Sequence, residues 1–253
     1  MAALLPDASS EEAMPPLALL AGGLASRLGA LTERVPKSLL TVAGEPFVAH
    51  QLRLLAGQGI RDVVICCGHL GGMIAEFVGD GARFGCRVRY SFDGPPLLGT
   101  GGAIVKALSL LGPRFWVMYG DSYLTAEFAP ALGAFEASGK TALMAVFRND
   151  DRWDASNVEF ADGKILRYAK GACFPEMRHI DYGLGIYSAA AFAGLPQGEA
   201  FDLAEVQRDL IARGAMAGFE GAERFYEIGS AAGLAETDEF LRVRMSAGAG
   251  VGA

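Results

Sequence analysis

The chain has 253 residues, 51% of them hydrophobic and 20% charged, with 34 glycines and a formal net charge of −7. That length suits one α/β domain with a substantial core, and the composition excludes a disordered chain. The acidic balance argues against nucleic acid as a partner held by a broad basic face, so any phosphate site has to be local.

Residues 1–14 are polar and acidic and are expected to be a flexible lead-in. The first basic residue is Arg27 and Pro15-Pro16 interrupts any apolar run, so no secretory leader is expected. No segment approaches a membrane span, and a cytoplasmic location is expected. Leu17–Leu20 reads as a strand buried on both faces that breaks into Gly22-Gly23. Phe47, Val48, Leu52 and Leu55 recur at helical spacing up to Gly57, and Val63–Cys67 follows as a second buried strand. The alternation continues with a helix over 70–78, a strand over 88–92, a helix over 103–111 and a strand over 115–119. It predicts right-handed βαβ units and a mostly parallel sheet. After a strand over 141–147, the pattern predicts a β-hairpin over 157–168 with its turn at Asp162-Gly163. A strand over 180–187, a helix over 202–212, a short strand over 225–228 and a closing helix over 234–243 complete the reading. Residues 244–253 are expected to be a flexible tail, leaving one domain over 15–243. The four cysteines form no C-x-x-C pair and read as free thiols.

Three stretches carry chemistry. Paired glycines at the carboxyl end of a buried strand let backbone N–H groups approach an anion, and ligands of open α/β sheets bind at such strand ends. Arg27 and Lys37 add positive charge to that loop and Pro36 stiffens the approach to the lysine, although a tight turn with solvated basic residues has the same pattern. The loop is not a P-loop, and no Gly-x-Gly-x-x-Gly is present. Gly99-Thr100-Gly101-Gly102-Ala103 lies between a strand and a helix and also suits a helix entry with Thr100 near the cap. Asp121, just past a buried strand, suits a Mg²⁺ ligand or equally a cap or turn former. His50, His69 and His179 show neither metal-ligand nor nucleophile spacing, and Trp116 and Trp153 read as packing residues.

Ala21-Gly22-Gly23, followed by Arg27, Thr32, Pro36-Lys37-Ser38-Leu39 and Val42-Ala43-Gly44-Glu45-Pro46, resembles the signature of the sugar-1-phosphate nucleotidylyltransferases. The Leu98–Ala103 form, without an upstream glutamine, looks closer to the heptose and mannose 1-phosphate guanylyltransferases. The resemblance implies a Rossmann-like, mixed, mostly parallel sheet with helices on both faces, of nucleotide-diphospho-sugar transferase type, plus a small β-hairpin sugar-binding portion. It implies catalytic roles for Arg27, Lys37 and Asp121. It puts the nucleotide on Ala21, Gly22, Gly23, Gly99, Thr100, Gly101 and Gly102, and Mg²⁺ on Asp121 and Glu227. It puts the sugar phosphate on Asn157, Lys170, Asp181 and Gly183. The chain departs from the family pattern at Glu227, where an aspartate is usual, at Ser230, a threonine position, and at Ala169, a glutamate position.

The implied reaction transfers a nucleoside monophosphate from an NTP to a sugar 1-phosphate, releasing pyrophosphate. A phosphate whose second pKa is about 6 is already largely dianionic at neutral pH, so no general base is needed. Positioning and charge neutralisation carry such chemistry. Three alternatives stand beside it. They are uridylyl transfer to an amino sugar 1-phosphate, a non-catalytic nucleotide-sensing subunit of the same fold, and a glycosyltransferase, which Asp121-Ser122-Tyr123 disfavours because it lacks Asp-x-Asp.

Overall fold

The computed structural model describes residues 13–23, 29, 34–171 and 174–249. The first strand, β1 (Leu17–Leu20), has all four residues buried. A hairpin of β2 (Thr41–Val42) and β3 (Glu45–Pro46) leads into α1 (Phe47–Gly57), then β4 (Asp62–Cys67), α2 (Gly71–Val78), β5 (Arg87–Phe92) and α3 (Gly99–Leu111). Next come β6 (Arg114–Tyr119), β7 (Ser122–Leu124), α4 (Ala129–Ser138) and β8 (Ala142–Arg148). The remainder is β9 (Val158–Ala161), β10 (Lys164–Tyr168), β11 (His179–Ser188), α5 (Leu203–Ala212), β12 (Met216–Gly221), β13 (Phe225–Glu227) and α6 (Ala231–Ala249).

Among the described residues the main sheet has nine strands. β5, β4, β1 and β6 lie side by side and parallel, β11 joins β6 antiparallel, and β8 and β12 follow on the far side of β11. β8 and β12 thereby run in the direction of β1, and the β9–β10 hairpin attaches at the start of β11. The sheet is mixed and mostly parallel, as expected. Alternate residues of β1 and β4 face opposite sides. Leu17, Leu19, Val63 and Ile65 pack with Val48, Leu52 and Leu55 of α1, with α2 and with α4. Ala18, Leu20, Val64 and Cys66 pack with Ile104 and Ala107 of α3 and with Leu203, Val206 and Leu210 of α5. Burying both faces explains why these strands are continuous apolar runs. Cys66, Cys67 and Cys86 are buried free thiols.

The larger differences from the sequence reading are at the ends of two helices. α3 begins at Gly99, because the carbonyl of Phe201 accepts from the N–H groups of Gly101 and Gly102 and so supplies a cap. α6 begins at Ala231, because the Ser230 hydroxyl accepts from the Gly233 N–H. It continues to Ala249, so residues 244–249 are helical and the tail begins later than expected. The elements with no counterpart in the sequence reading are short or weakly patterned. β7 has three residues, β12 contains two glycines, and α4 has no marked apolar face.

Candidate active site

The parallel register levels the carboxyl ends of the central strands. Leu20 lies opposite Cys66 on one side and Tyr119 on the other, so the chain leaves β1, β4 and β6 at one edge. The glycines there allow close approach. A Cβ on Gly120 would stand 2.5 Å from the Leu20 carbonyl oxygen, and one on Gly68 2.5 Å from that of Gly22. Ala21 is anchored by its N–H to the Cys66 carbonyl. Among the described residues nothing lies within 4 Å of where a Cβ on Gly23 would sit. Glycines at the carboxyl edge of a strand suit an anion loop. Arg27, its expected cation, lies outside the described residues.

Asp121 sits at the corner between β6 and β7, beside that loop. Gln51 of α1, fully buried, donates its amide N–H groups to the carbonyls of Tyr119 and Ser122 at 3.2 and 2.8 Å, holding the corner from beneath. The antiparallel pairing of β13 with β7 sets Glu227 opposite Ser122, and the Ile228 N–H bonds to the Asp121 carbonyl. The two carboxylates, far apart in sequence, therefore converge. A Cβ on Gly229 would lie 2.5 Å from Glu227 Oε2 and 3.6 Å from Asp121 Oδ2. Lys37, in a short 3₁₀ turn of residues 37–39, places its Nζ 3.0 Å from Asp121 Oδ2. Glu227 also accepts from the Gly229 N–H and, at 2.8 Å, from the Ser230 hydroxyl. Its longer side chain is accommodated because Gly233 offers no side chain where the carboxylate lies.

Two hard carboxylate donors at an open phosphate-loop edge fit the chemistry of magnesium, which prefers one or two carboxylates with the rest of its shell from water and substrate phosphate. Among the described residues no cluster of three or more His, Cys, Asp or Glu side chains has metal-binding geometry.

A cavity of about 510 Å³ opens from this corner. Its lining includes Lys37, Asp121 and Glu227 together with Asn157, Lys170 and Asp181. Three of the four expected sugar-phosphate residues are thus brought together. Burial pushes the Asp181 carboxyl up, partly offset by the Gly183 N–H, by Lys170, and by the hydroxyls of Tyr168 and Tyr119 at 3.3 and 3.4 Å. Asn157 Oδ1 accepts from the Asp181 N–H at 2.9 Å. Lys170 is steered by Asp202 at the N-cap of α5, 2.9 Å away.

Two of the expected positions have a packing role in the structure. Gly183 is not among the cavity's lining residues. It takes φ +80° in the β11 irregularity, where a Cβ would press within 2.9 Å of the Ser122 hydroxyl, so its glycine serves close packing behind the site. The second concerns residues 99–102. A Cβ on Gly99, Gly101 or Gly102 would meet Phe201 or Glu199 at 2.3–2.6 Å, and Gly101 and Gly102 are buried. These glycines make room for the chain's own 199–202 segment. Thr100 is likewise engaged, donating to Asp202 and accepting from the Leu203 N–H. The segment does lie at the same sheet edge as the first loop, but β4 separates the two strands that lead to them. Sequence reasoning missed Tyr119, Tyr168, Arg224 and Gln51 altogether, since no local pattern marks them, and assigned Trp153 to packing.

A glycine-bearing strand edge, a lysine, two converging carboxylates and a polar cavity beside them suit an α/β protein that handles phosphorylated ligands. Residues 18–157, more than half of the chain, match the family model described as nucleotidyl transferase, and the chain belongs to that family. It is 29% identical over 224 residues to the N-acetylmuramate alpha-1-phosphate uridylyltransferase of Neisseria meningitidis, covering 86% of this chain and 94% of that enzyme. It is 30% identical over 145 residues to the D-glycero-alpha-D-manno-heptose 1-phosphate guanylyltransferase of Campylobacter jejuni, covering 57% of this chain and 63% of that one. Among solved structures, HddC from Yersinia pseudotuberculosis, complexed with GMP-PN, shares the fold with a TM-score of 0.76. Its identity is 22%, and the match covers 90% of this chain and 100% of HddC.

Proposed function

We propose that this protein transfers a nucleoside monophosphate from an NTP to a sugar 1-phosphate, giving an NDP-sugar and pyrophosphate. The observation that carries the reading is the meeting of Lys37, Asp121 and Glu227 in the lining of one polar cavity. In this reading the backbone of Ala21 to Gly23, with Arg27, cradles the triphosphate. Lys37 neutralises charge where the α-phosphate and the incoming sugar phosphate meet. Asp121 and Glu227 would hold Mg²⁺, which supplies charge neutralisation between the two phosphates. Asn157, Lys170 and Asp181 orient the sugar phosphate, and Lys170 brings positive charge to that side.

GTP is the donor we favour, from the Leu98–Ala103 form without an upstream glutamine. Uridylyl transfer is the second reading, supported by the likeness to the Neisseria enzyme along nearly its full length. The presence of Lys37 and both carboxylates weighs against a purely regulatory subunit. Pyrophosphate release should be measured for GTP, UTP, dTTP, CTP and ATP, each paired with mannose, heptose, glucose, N-acetylglucosamine and N-acetylmuramate 1-phosphates. Turnover with at least one pair and dependence on divalent cation are expected, and a higher kcat/KM with UTP than GTP would overturn the donor assignment. No turnover with any pair would sink the catalytic reading.

A further inference from the structure

The loop over 149–156 is built more firmly than a simple connection requires. Asn149 is fully buried and spends its side chain inside the loop. Its amide N–H groups reach the Asp154 carbonyl at 2.5 Å and the Ser156 hydroxyl at 3.2 Å, and its oxygen accepts from the Trp153 N–H at 3.3 Å. Ser156, also buried, accepts from the Asp151 N–H and donates its own N–H to the Asp151 carboxylate at 2.7 Å. Asp150 and Asp151 both take positive φ, and the N–H groups of residues 149 and 150 bond to the Arg178 carbonyl. What this bonding holds out is Trp153, a large apolar side chain left 45% exposed.

One face of the indole is covered, which leaves the other for a ligand. The guanidinium of Arg224 lies 3.4 Å from its ring centre and 4.6 Å from that of Tyr226, and is itself paired with Glu236. Trp153 and Arg224 line the same cavity as Lys37, Asp121 and Asn157. An indole immobilised in this way has already lost the rotamer freedom that binding would otherwise cost. Its apolar surface complements the C–H face of a pyranose ring, whose hydroxyls need polar partners at the edges. Asn157 Nδ2, without a hydrogen-bond partner among the described residues, and the Lys170 ammonium stand in the same cavity to serve them.

We propose that Trp153 is the wall against which the sugar ring of the acceptor packs, and that the 149–156 loop, clamped by Asn149 and Arg224, is the element by which this chain selects its sugar. The proposal rests on the nucleotidylyl-transfer reading for the identity of the acceptor, but its test includes binding without turnover. The chain has two tryptophans, and Trp116 is fully buried in the core, so intrinsic fluorescence separates them. Titration with each sugar 1-phosphate of the panel above should change the emission saturably for at least one, and the Trp153→Phe variant should lose that change. In steady state, Trp153→Leu should raise KM for the sugar phosphate at least tenfold with KM for the NTP within twofold of wild type, and Trp153→Phe should recover most of the loss. A thermal melt confirms that both variants are folded. The proposal is overturned if no sugar 1-phosphate alters wild-type emission, if the change persists in Trp153→Phe, or if Trp153→Leu leaves KM for the sugar phosphate unchanged. Trp153-dependent binding without pyrophosphate release would instead uphold the sugar wall and sink the transfer reading.

Discussion

Gly233 is the residue whose substitution tests the carboxylate arrangement most sharply. It is the third residue of α6, and at an exposed helix position Gly→Ala gains about 1 kcal/mol. Here the added Cβ would stand 1.9 Å from Glu227 Oε1, 2.6 Å from its Cδ and 2.7 Å from its backbone oxygen. Relief requires the Glu227 carboxylate to swing away, giving up the Ser230 hydroxyl and the Gly229 N–H. Overpacking of this kind costs about 1–3 kcal/mol, which outweighs the helix gain. A net loss on the order of 1 kcal/mol lowers the melting temperature by about 2–4 °C in a domain of this size. The effect on turnover should be larger, about 100-fold or more, because a group facing the developing charge is displaced. Shortening the displaced side chain should partly compensate, so Glu227→Asp combined with Gly233→Ala should turn over faster than Gly233→Ala alone. The backbone contact at 2.7 Å keeps the rescue incomplete, and the coupling should fall within about 0.5–3 kcal/mol. Pyrophosphate release and thermal melts on the four proteins give the full cycle. Gly233→Ala with wild-type turnover and melting temperature would refute the placement of Glu227.

Lys37→Ala should lower kcat by about 100-fold or more while changing NTP affinity less, because its charge matters most where the phosphates meet. Equal losses in affinity and kcat would reassign it to ground-state binding. Gln51→Leu leaves the carbonyls of Tyr119 and Ser122 without their side-chain donor and should cost about 1–3 kcal/mol in stability. It should also lower kcat with little change in either KM, since Asp121 rides on that corner; wild-type kcat in the folded variant would show that the corner needs no support. Asp202→Ala removes the α5 capping box and the partner of Lys170, at about 0.5–2 kcal/mol near neutral pH. Burial alone would raise the Asp202 carboxyl, but the Ala204 N–H, Lys170 and Thr100 hold it below its ordinary 3.8. Its contribution is therefore complete above that value and is lost as pH falls through the lowered folded value, so wild-type and variant melts should converge in acid. A gap that stays constant down to unfolding would contradict this assignment.

What the sequence by itself determined is local or periodic. The all-apolar runs at Leu17–Leu20 and Val63–Cys67, bounded by turn residues, read as strands covered on both faces, and the spacing of Phe47, Val48, Leu52 and Leu55 reads as a helix. The loop signature from Ala21 to Pro46 was legible because backbone approach to an anion demands glycine, and charge neutralisation demands lysine, at short range. What only the tertiary structure decided depends on register between distant segments. Glu227 meets Asp121 because β13 pairs with β7, and Gly233 leaves space for the longer carboxylate from the next helix. Phe201 and Glu199, from a hundred residues away, lie where side chains on Gly99, Gly101 and Gly102 would be, and a missing side chain does not record which neighbour occupies its space. Trp153 shows the same limit from the other side. An isolated tryptophan in sequence resembles any packing residue, and only a loop bonded by Asn149 and Ser156, with Arg224 laid against the ring, turns it toward the cavity.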